Sequence, residues 1–173
     1  MRVGICWQGS TSHKNDGMRS LPRSALAVLT AVQGVQWVSL ARDAWTPAMG
    51  ELGLPNGLAE CLDWADTKRV IERELDLVIT VDTAIGHLAG GCGFPCWMMV
   101  ARVPDFRWML DRSDTPLYRS VRLYRQRMAG DWAPVMEQVA ADLTAEVQAR
   151  MPSVIYRARG YANQNTSAGE EPK

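Results

Sequence analysis

Leu77-Val78-Ile79-Thr80-Val81-Asp82-Thr83-Ala84-Ile85-Gly86-His87-Leu88-Ala89-Gly90-Gly91 changes character halfway along. Leu77 to Val81 is a short apolar run rich in β-branched residues, which suits a strand buried on both faces of a parallel sheet. Asp82 and Thr83 are both good helix N-caps. Ala84 to Ala89 then reads as the first turns of a helix, with Gly90-Gly91 as its end. The polar residues thus sit where a strand's carboxyl end meets a helix's amino end, the rim at which open α/β sheets bind ligands. The amides of Ala84, Ile85 and Gly86 are expected to be free and to favour an anion. His87 follows Thr83 by four residues and can share its helix face. Together these features predict a phosphate-binding site, most simply for a nucleotide diphosphate.

Working outward, apolar runs at Arg2–Trp7, Val35–Leu40, Glu60–Asp63, Cys96–Val100 and Val121–Tyr124 read as further strands. Helices are expected between them. One has Pro22 at its first position, Leu26, Leu29 and Val32 inward, and Gly34 as its stop. Another is capped by Asp66-Thr67 and runs to about Leu75, with Val70 and Ile71 on one side. The last runs from Asp131 or Trp132 to about Met151, with Val135, Val139, Leu143 and Val147 as its buried stripe. Ala41–Asn56, punctuated by Pro47, Gly50, Gly53 and Pro55, reads as irregular. The alternation predicts an α/β domain, a Rossmann-like doubly wound parallel sheet of about six strands with right-handed crossovers. That domain is expected over residues 1–152, with 153–173 a polar, disordered tail.

Composition narrows the function classes. Lys plus Arg and Asp plus Glu number 19 each, so no bulk charge argues for nucleic acid or an anionic membrane. No apolar run approaches the ~20 residues of a membrane span, and Met1–Trp7 is interrupted too soon for a signal peptide. Cys6, Cys61, Cys92 and Cys96 form no C-x-x-C pair, so they read as reduced core cysteines of a cytoplasmic protein rather than zinc ligands. The G-x-G-x-x-G of dinucleotide enzymes and the G-x-x-x-x-G-K-[ST] of P-loop NTPases are both missing.

Three loops are expected at the same rim. The first, Gln8–Gly17, offers Gly9, Ser10, Thr11 and Lys14, small residues for close backbone approach and a point charge for phosphate. The second offers Asp82, Thr83, Ala84 and His87. The third offers Arg102, Asp105 and Arg107. Asp82 reads either as a helix cap or as a group that positions a ligand hydroxyl or a lysine. His87 reads either as a packed helix residue or as a phosphate donor. Asp63 and Asp66 read as surface or capping residues, or as partners of a ribose. Trp97, Phe106, Trp108 and Trp132 suit core packing or a covered interface, and Trp7 can line the crevice. Arg119, Arg122, Arg125 and Arg127 read as a solvated basic run. No Ser-His-Asp set, metal-ligand spacing or hydrolytic carboxylate pair stands out.

Val81-Asp82-Thr83-Ala84-Ile85-Gly86-His87-Leu88-Ala89 followed by Gly93-Phe94-Pro95 resembles the nucleotide-sugar half of GT-B glycosyltransferases. It is similar to the ADP-heptose:lipopolysaccharide heptosyltransferase family. It resembles more closely the glycosyltransferase-like domains that follow tetratricopeptide repeats in many bacterial proteins. That second resemblance takes in Gly4-Ile5-Cys6-Trp7-Gln8-Gly9, His13-Lys14-Asn15-Asp16, Arg19-Ser20-Leu21-Pro22, Asp63-Trp64-Ala65-Asp66-Thr67 and Pro104-Asp105-Phe106-Arg107-Trp108. It covers roughly residues 2 to 145. The resemblance implies that a sugar nucleotide's diphosphate lies against Thr83, Ala84 and the helix amides. Lys14 and His87 assist, Ser10 and Thr11 lie alongside, and no tightly held metal or other cofactor is used. A GT-B enzyme needs a second domain for the acceptor and the base, so transfer is expected to require a partner domain or a homodimer. A stand-alone nucleotide-binding or sequestering module is the alternative.

Overall fold

The computed structural model describes residues 1–150. Met151, Pro152 and the tail expected over 153–173 lie outside the described residues. Five parallel strands form one sheet: β1 (Arg2–Cys6), β2 (Gln36–Ser39), β3 (Leu77–Val81), β4 (Cys96–Val100) and β5 (Val121–Arg125). Their order is β2-β1-β3-β4-β5. β1 and β3 are neighbours, in the register Val3 to Leu77 through Cys6 to Thr80. From β1 the chain steps first to β2 and later, past β1, to β3 and beyond. The switch point of this doubly wound sheet therefore lies between β1 and β3.

The central strands read as apolar runs because both of their faces are covered. All five residues of β3 are buried, as are four of the five in β1. Gly4 is part of that packing. A Cβ there would lie 2.6 Å from Leu75 Cδ1 and 2.7 Å from Leu40 Cδ1, so a larger residue would displace the methyl ends of these two leucines where they close over β1. Right-handed crossovers in opposite directions put helices on opposite faces. Accordingly α2 (Leu26–Thr30) packs against α6 (Ala133–Arg150), and α4 (Trp64–Glu74) against α5 (Ala84–Gly91). The expected stripe of α6, Val135, Val139, Leu143 and Val147, is buried.

Several expectations are corrected. Glu60–Asp63 is not a strand, so the sheet has five strands rather than six. The chain beside β2 is instead Pro55–Gly57: Ser39 N–H donates to the Pro55 carbonyl at 2.8 Å, and Gly57 N–H to the Ser39 carbonyl at 3.0 Å. Glu60–Asp63 turns only Cys61 inward and leaves Leu62 90 % exposed, and it serves as the lead into α4. The N-cap of α4 is Asp63, three residues before the expected caps. Asp63 Oδ1 accepts the Asp66 N–H at 2.9 Å, and Asp66 Oδ2 accepts the Leu62 N–H at 2.8 Å, a reciprocal arrangement like a capping box.

The polar loop after β1 holds a one-turn helix α1 (Asp16–Arg19). Pro22 precedes a 3-10 turn, Arg23–Ala25, which leads into α2, so the expected single helix is split. Ala41–Asn56 is mostly irregular but contains α3 (Pro47–Glu51), fixed by Trp45 Nε1 donating to the Leu54 carbonyl at 2.8 Å. The basic run is only partly solvated. Arg122 pairs with Asp142 at 2.6 Å, and Arg125 binds the carbonyls of Trp108, Met109 and Arg112.

Candidate functional site

At the carboxyl ends of β1 and β3 lies a crevice of about 520 Å³, within the range of small-molecule sites. One wall is the loop after β1, with Gln8, Gly9 and Ser10. The opposite wall is the start of α5, with Thr83, Ala84 and Ile85. The far end is closed by Ala41–Ala44 after β2 and by Leu62, Asp63 and Trp64 entering α4. A second cleft of about 510 Å³ lies beside Arg2, Arg69 and Glu74. The residue it takes from a helix's first turn is an acid, Asp66 of α4, and its Arg2 and Arg69 are already paired with Glu74 and Asp66.

Thr83 stands at the N-cap position of α5 but does not cap it. Its hydroxyl turns inward, 2.9 Å from Thr80 Oγ1 and 3.7 Å from Cys6 Sγ, tying the helix to β3 and β1. The first amides of α5 therefore lack a side-chain acceptor. Gly86 N–H is used, donating to the Thr83 carbonyl at 3.0 Å, as is His87 N–H at 3.3 Å, so the expected set of three free amides reduces to two. Ala84 and Ile85 make no N–H bond among the described residues. These two donors, backed by the helix dipole, border the crevice.

The loop after β1 is held by a network the sequence reading did not assemble. Buried Asp16 accepts from Ser20 Oγ at 2.9 Å and from Arg19 Nε at 3.3 Å. Ser20 Oγ also accepts the Gly9 N–H at 3.2 Å. Arg19 Nη1 reaches across to donate to the Asp82 carbonyl at 2.9 Å, joining this loop to the start of α5. A Cβ on Gly9 would meet the Arg19 guanidinium and lie 2.8 Å from Asp16 Oδ1. A larger residue there would push the Arg19 guanidinium and the Asp16 carboxylate out of this network. Arg19 is thus the cation that ties the two walls together, its side chain 17 % exposed and paired with Asp16, though it is not itself among the residues lining the crevice. Lys14 and Thr11 lie on the exposed outer part of the same loop, and neither lines the crevice. Ser10 lines it, its hydroxyl 2.8 Å from Ser12 Oγ.

His87 faces the other way, toward β4 and β5. Its Nδ1 is 3.0 Å from the Tyr118 hydroxyl, its ring stacks on Trp108 with centroids 5.1 Å apart, and its Nε2 lies 3.9 Å from Asp82 Oδ1. Tyr118 can reach it because Gly90 is bare: a Cβ there would lie 2.6 Å from Tyr118 Cγ. α5 ends at Gly91, as expected, with Gly90 also serving as a packing glycine, and the positive φ of 68° falls at Gly93. Gly90→Ala is expected to cost about 1–3 kcal/mol through overpacking, read as a lowered denaturation midpoint.

The remaining candidates separate. Asp63 lines the crevice, but one of its oxygens is spent on capping. Asp66 faces the second cleft, with its oxygens bound to Leu62 N–H and Arg69. Asp105 and Arg107 pair with each other at 2.8 Å on the loop after β4. Arg42, Asp43 and Trp64 border the crevice and were missed. Arg42 Nη2 donates to the Cys61 carbonyl at 2.8 Å and pins the far wall.

Cys6 forms part of the crevice floor, but burial pushes its thiol pKa up, and burial likewise holds Cys96 up at about 12. Both stay protonated near neutrality and are poor nucleophiles. Only Cys92 is partly exposed. Iodoacetamide at about pH 8 is expected to label native protein at Cys92 alone, checked by mass spectrometry. Among the described residues no three His, Cys, Asp or Glu converge as metal ligands. Among the same residues no helix is long and apolar enough to cross a membrane.

The fold and crevice define a doubly wound α/β domain with a ligand-sized opening at its switch point. No family model matches the chain, and no curated protein matches it.

Proposed function

We propose that this domain binds a nucleotide diphosphate sugar and is the donor-binding half of a GT-B-type glycosyltransferase. The observation that carries the reading is the pair of unbonded amides of Ala84 and Ile85 facing the glycine-lined loop of Gly9 and Ser10 across the switch-point crevice. The diphosphate lies over those amides, with Arg19 as the nearby fixed charge. The nucleoside extends toward Ala41–Ala44 and Trp64, where Leu40, Leu58 and Leu62 give an apolar bed and the half-exposed Trp64 ring offers a stacking face. The Asp43 carboxylate is available to ribose hydroxyls. Amides and a guanidinium stabilise the departing nucleoside diphosphate as negative charge develops on it. The acceptor and the base that activates it belong to a partner domain. The order of motifs from Gly4 to Trp108 supports the same reading.

Calorimetry with UDP, ADP and GDP and their sugar conjugates tests it. Saturable binding of one nucleotide series is expected, weakened about tenfold or more by Arg19→Ala through loss of the junction between the two walls and of its nearby positive charge. Lys14→Ala measures whether the outer-loop lysine reaches the phosphates as well. Absence of binding in every series overturns the reading.

A further inference from the structure

We propose that the loop after β4, Pro104 to Leu110, is the platform for the glycosyl end of the ligand, with the exposed ring of Phe106 stacking on one face of a pyranose. This inference rests on the nucleotide-sugar reading and adds to it the place of the sugar.

Position is the first argument. With the nucleoside toward β2 and the diphosphate over the start of α5, the glycosyl group emerges on the β4 side. There His87, 3.9 Å from Asp82, stacks on Trp108 at 5.1 Å. Trp108 ends a 3-10 turn that begins at Phe106. The loop after β4 thus packs through Trp108 on His87, one turn into α5, beside the crevice but outside the residues that line it.

Chemistry is the second. Two aromatic residues sit two positions apart with opposite fates: Trp108 is fully buried and Phe106 is 81 % exposed. The inner ring anchors the turn and the outer ring is presented. The Arg107 guanidinium lies 4.9 Å from the centre of the Phe106 ring. Asp105 accepts from Arg107 Nη1 at 2.8 Å and from the Arg107 N–H at 3.0 Å. The loop therefore offers an aromatic face beside a locally neutralised pair of planar polar groups. A neutral pyranose matches this, with an apolar C–H face for the ring and hydroxyls for the carboxylate and guanidinium. A further phosphate would have to displace Asp105.

Stiffness is the third. The Arg125 guanidinium donates to the carbonyls of Trp108, Met109 and Arg112. It holds Met109 at φ 54° and ψ −165°, where glycine is the usual occupant. Met109 is the only non-glycine residue with positive φ among those described. A clasped and strained turn that keeps a phenyl ring in water is preorganised for a partner.

The test uses the full chain as wild type, Phe106→Ala and Phe106→Trp, titrated by calorimetry with UDP, ADP and GDP and with UDP-glucose, ADP-glucose and GDP-mannose. For the series that binds, Phe106→Ala is expected to weaken the sugar conjugate about tenfold and the bare diphosphate less than about twofold, with Phe106→Trp restoring the conjugate. All three proteins are expected to melt together, because the ring is exposed. Unchanged affinity for the conjugate, or equal weakening of conjugate and bare diphosphate, overturns the platform and leaves the nucleotide reading intact. A wild type that binds no diphosphate overturns the nucleotide reading itself, and the platform with it.

Discussion

Ala84→Asp is expected to lower affinity for a nucleoside diphosphate about 100-fold while leaving the melting temperature unchanged or slightly raised. Ala84 is exposed at the first position of α5, so a longer side chain there displaces no packing. A carboxylate in the first turn interacts favourably with the helix dipole, by about 0.3–1 kcal/mol. The same carboxylate would stand about 4–5 Å from a bound phosphate. At an effective dielectric of about 20 the repulsion is about 3–4 kcal/mol per charge pair before salt screening, so a net loss of about 2–3 kcal/mol is reasonable. Stability and binding thus move in opposite directions, which general damage to the fold would not produce. Ala84→Asn supplies the uncharged control. Calorimetry paired with thermal denaturation reads both effects, and an Asp variant that binds like wild type would remove the diphosphate from this helix.

Trp108→Ala is expected to cost about 3–5 kcal/mol, the usual range for emptying a large buried aromatic site. That is a substantial part of the roughly 5–15 kcal/mol available to a domain, and it corresponds to a fall of about 6–20 °C in Tm. Trp108 is fully buried, and its ring supports both His87, stacked at 5.1 Å, and Tyr118, at 6.4 Å between centroids. Its Nε1 has no partner among the described residues. Trp108→Phe removes that unpaired donor while keeping most of the volume, so it should recover most of the loss. A Trp108→Ala variant that melts within about 2 °C of wild type would contradict this packing role.

Much of the fold was legible because both faces of the sheet are covered. Leu77–Val81 and Cys96–Val100 read as strands on apolar continuity alone, and both appear with the expected bounds. The sixth strand failed for a related reason. Glu60-Cys61-Leu62-Asp63 has the composition of a short strand, but its one strongly apolar side chain, Leu62, points to solvent, and the Asp63 carboxylate is committed to α4. Short range sequence patterns do not reveal such long-range choices.

At the site, Gly9, Ser10, Thr83 and Ala84 could be placed together because strand ends and helix starts share one rim. Arg19 and Tyr118 could not. Their roles depend on contacts 63 and 31 residues distant in sequence, to Asp82 and His87. The pattern Asp16…Arg19-Ser20 carried a trace of the first, since an acid and a base three apart on a helix can pair. Lys14 drew attention as the nearest lysine, but the chain turns it outward. Thr83 is a preferred N-cap type whose hydroxyl is spent on Thr80 and Cys6 instead, and that choice leaves the helix amides free of a side-chain acceptor.

The most direct test of the central claim is an amide-resolved NMR titration of the full chain with UDP, ADP and GDP. Binding of one of them should shift the resonances of Gly9, Ser10, Ala84 and Ile85 saturably and with a single affinity, with smaller changes at Asp43 and Trp64. Saturable shifts confined to the cleft beside Arg69 and Glu74, or no shift at Ala84 and Ile85 with any of the three, would contradict it.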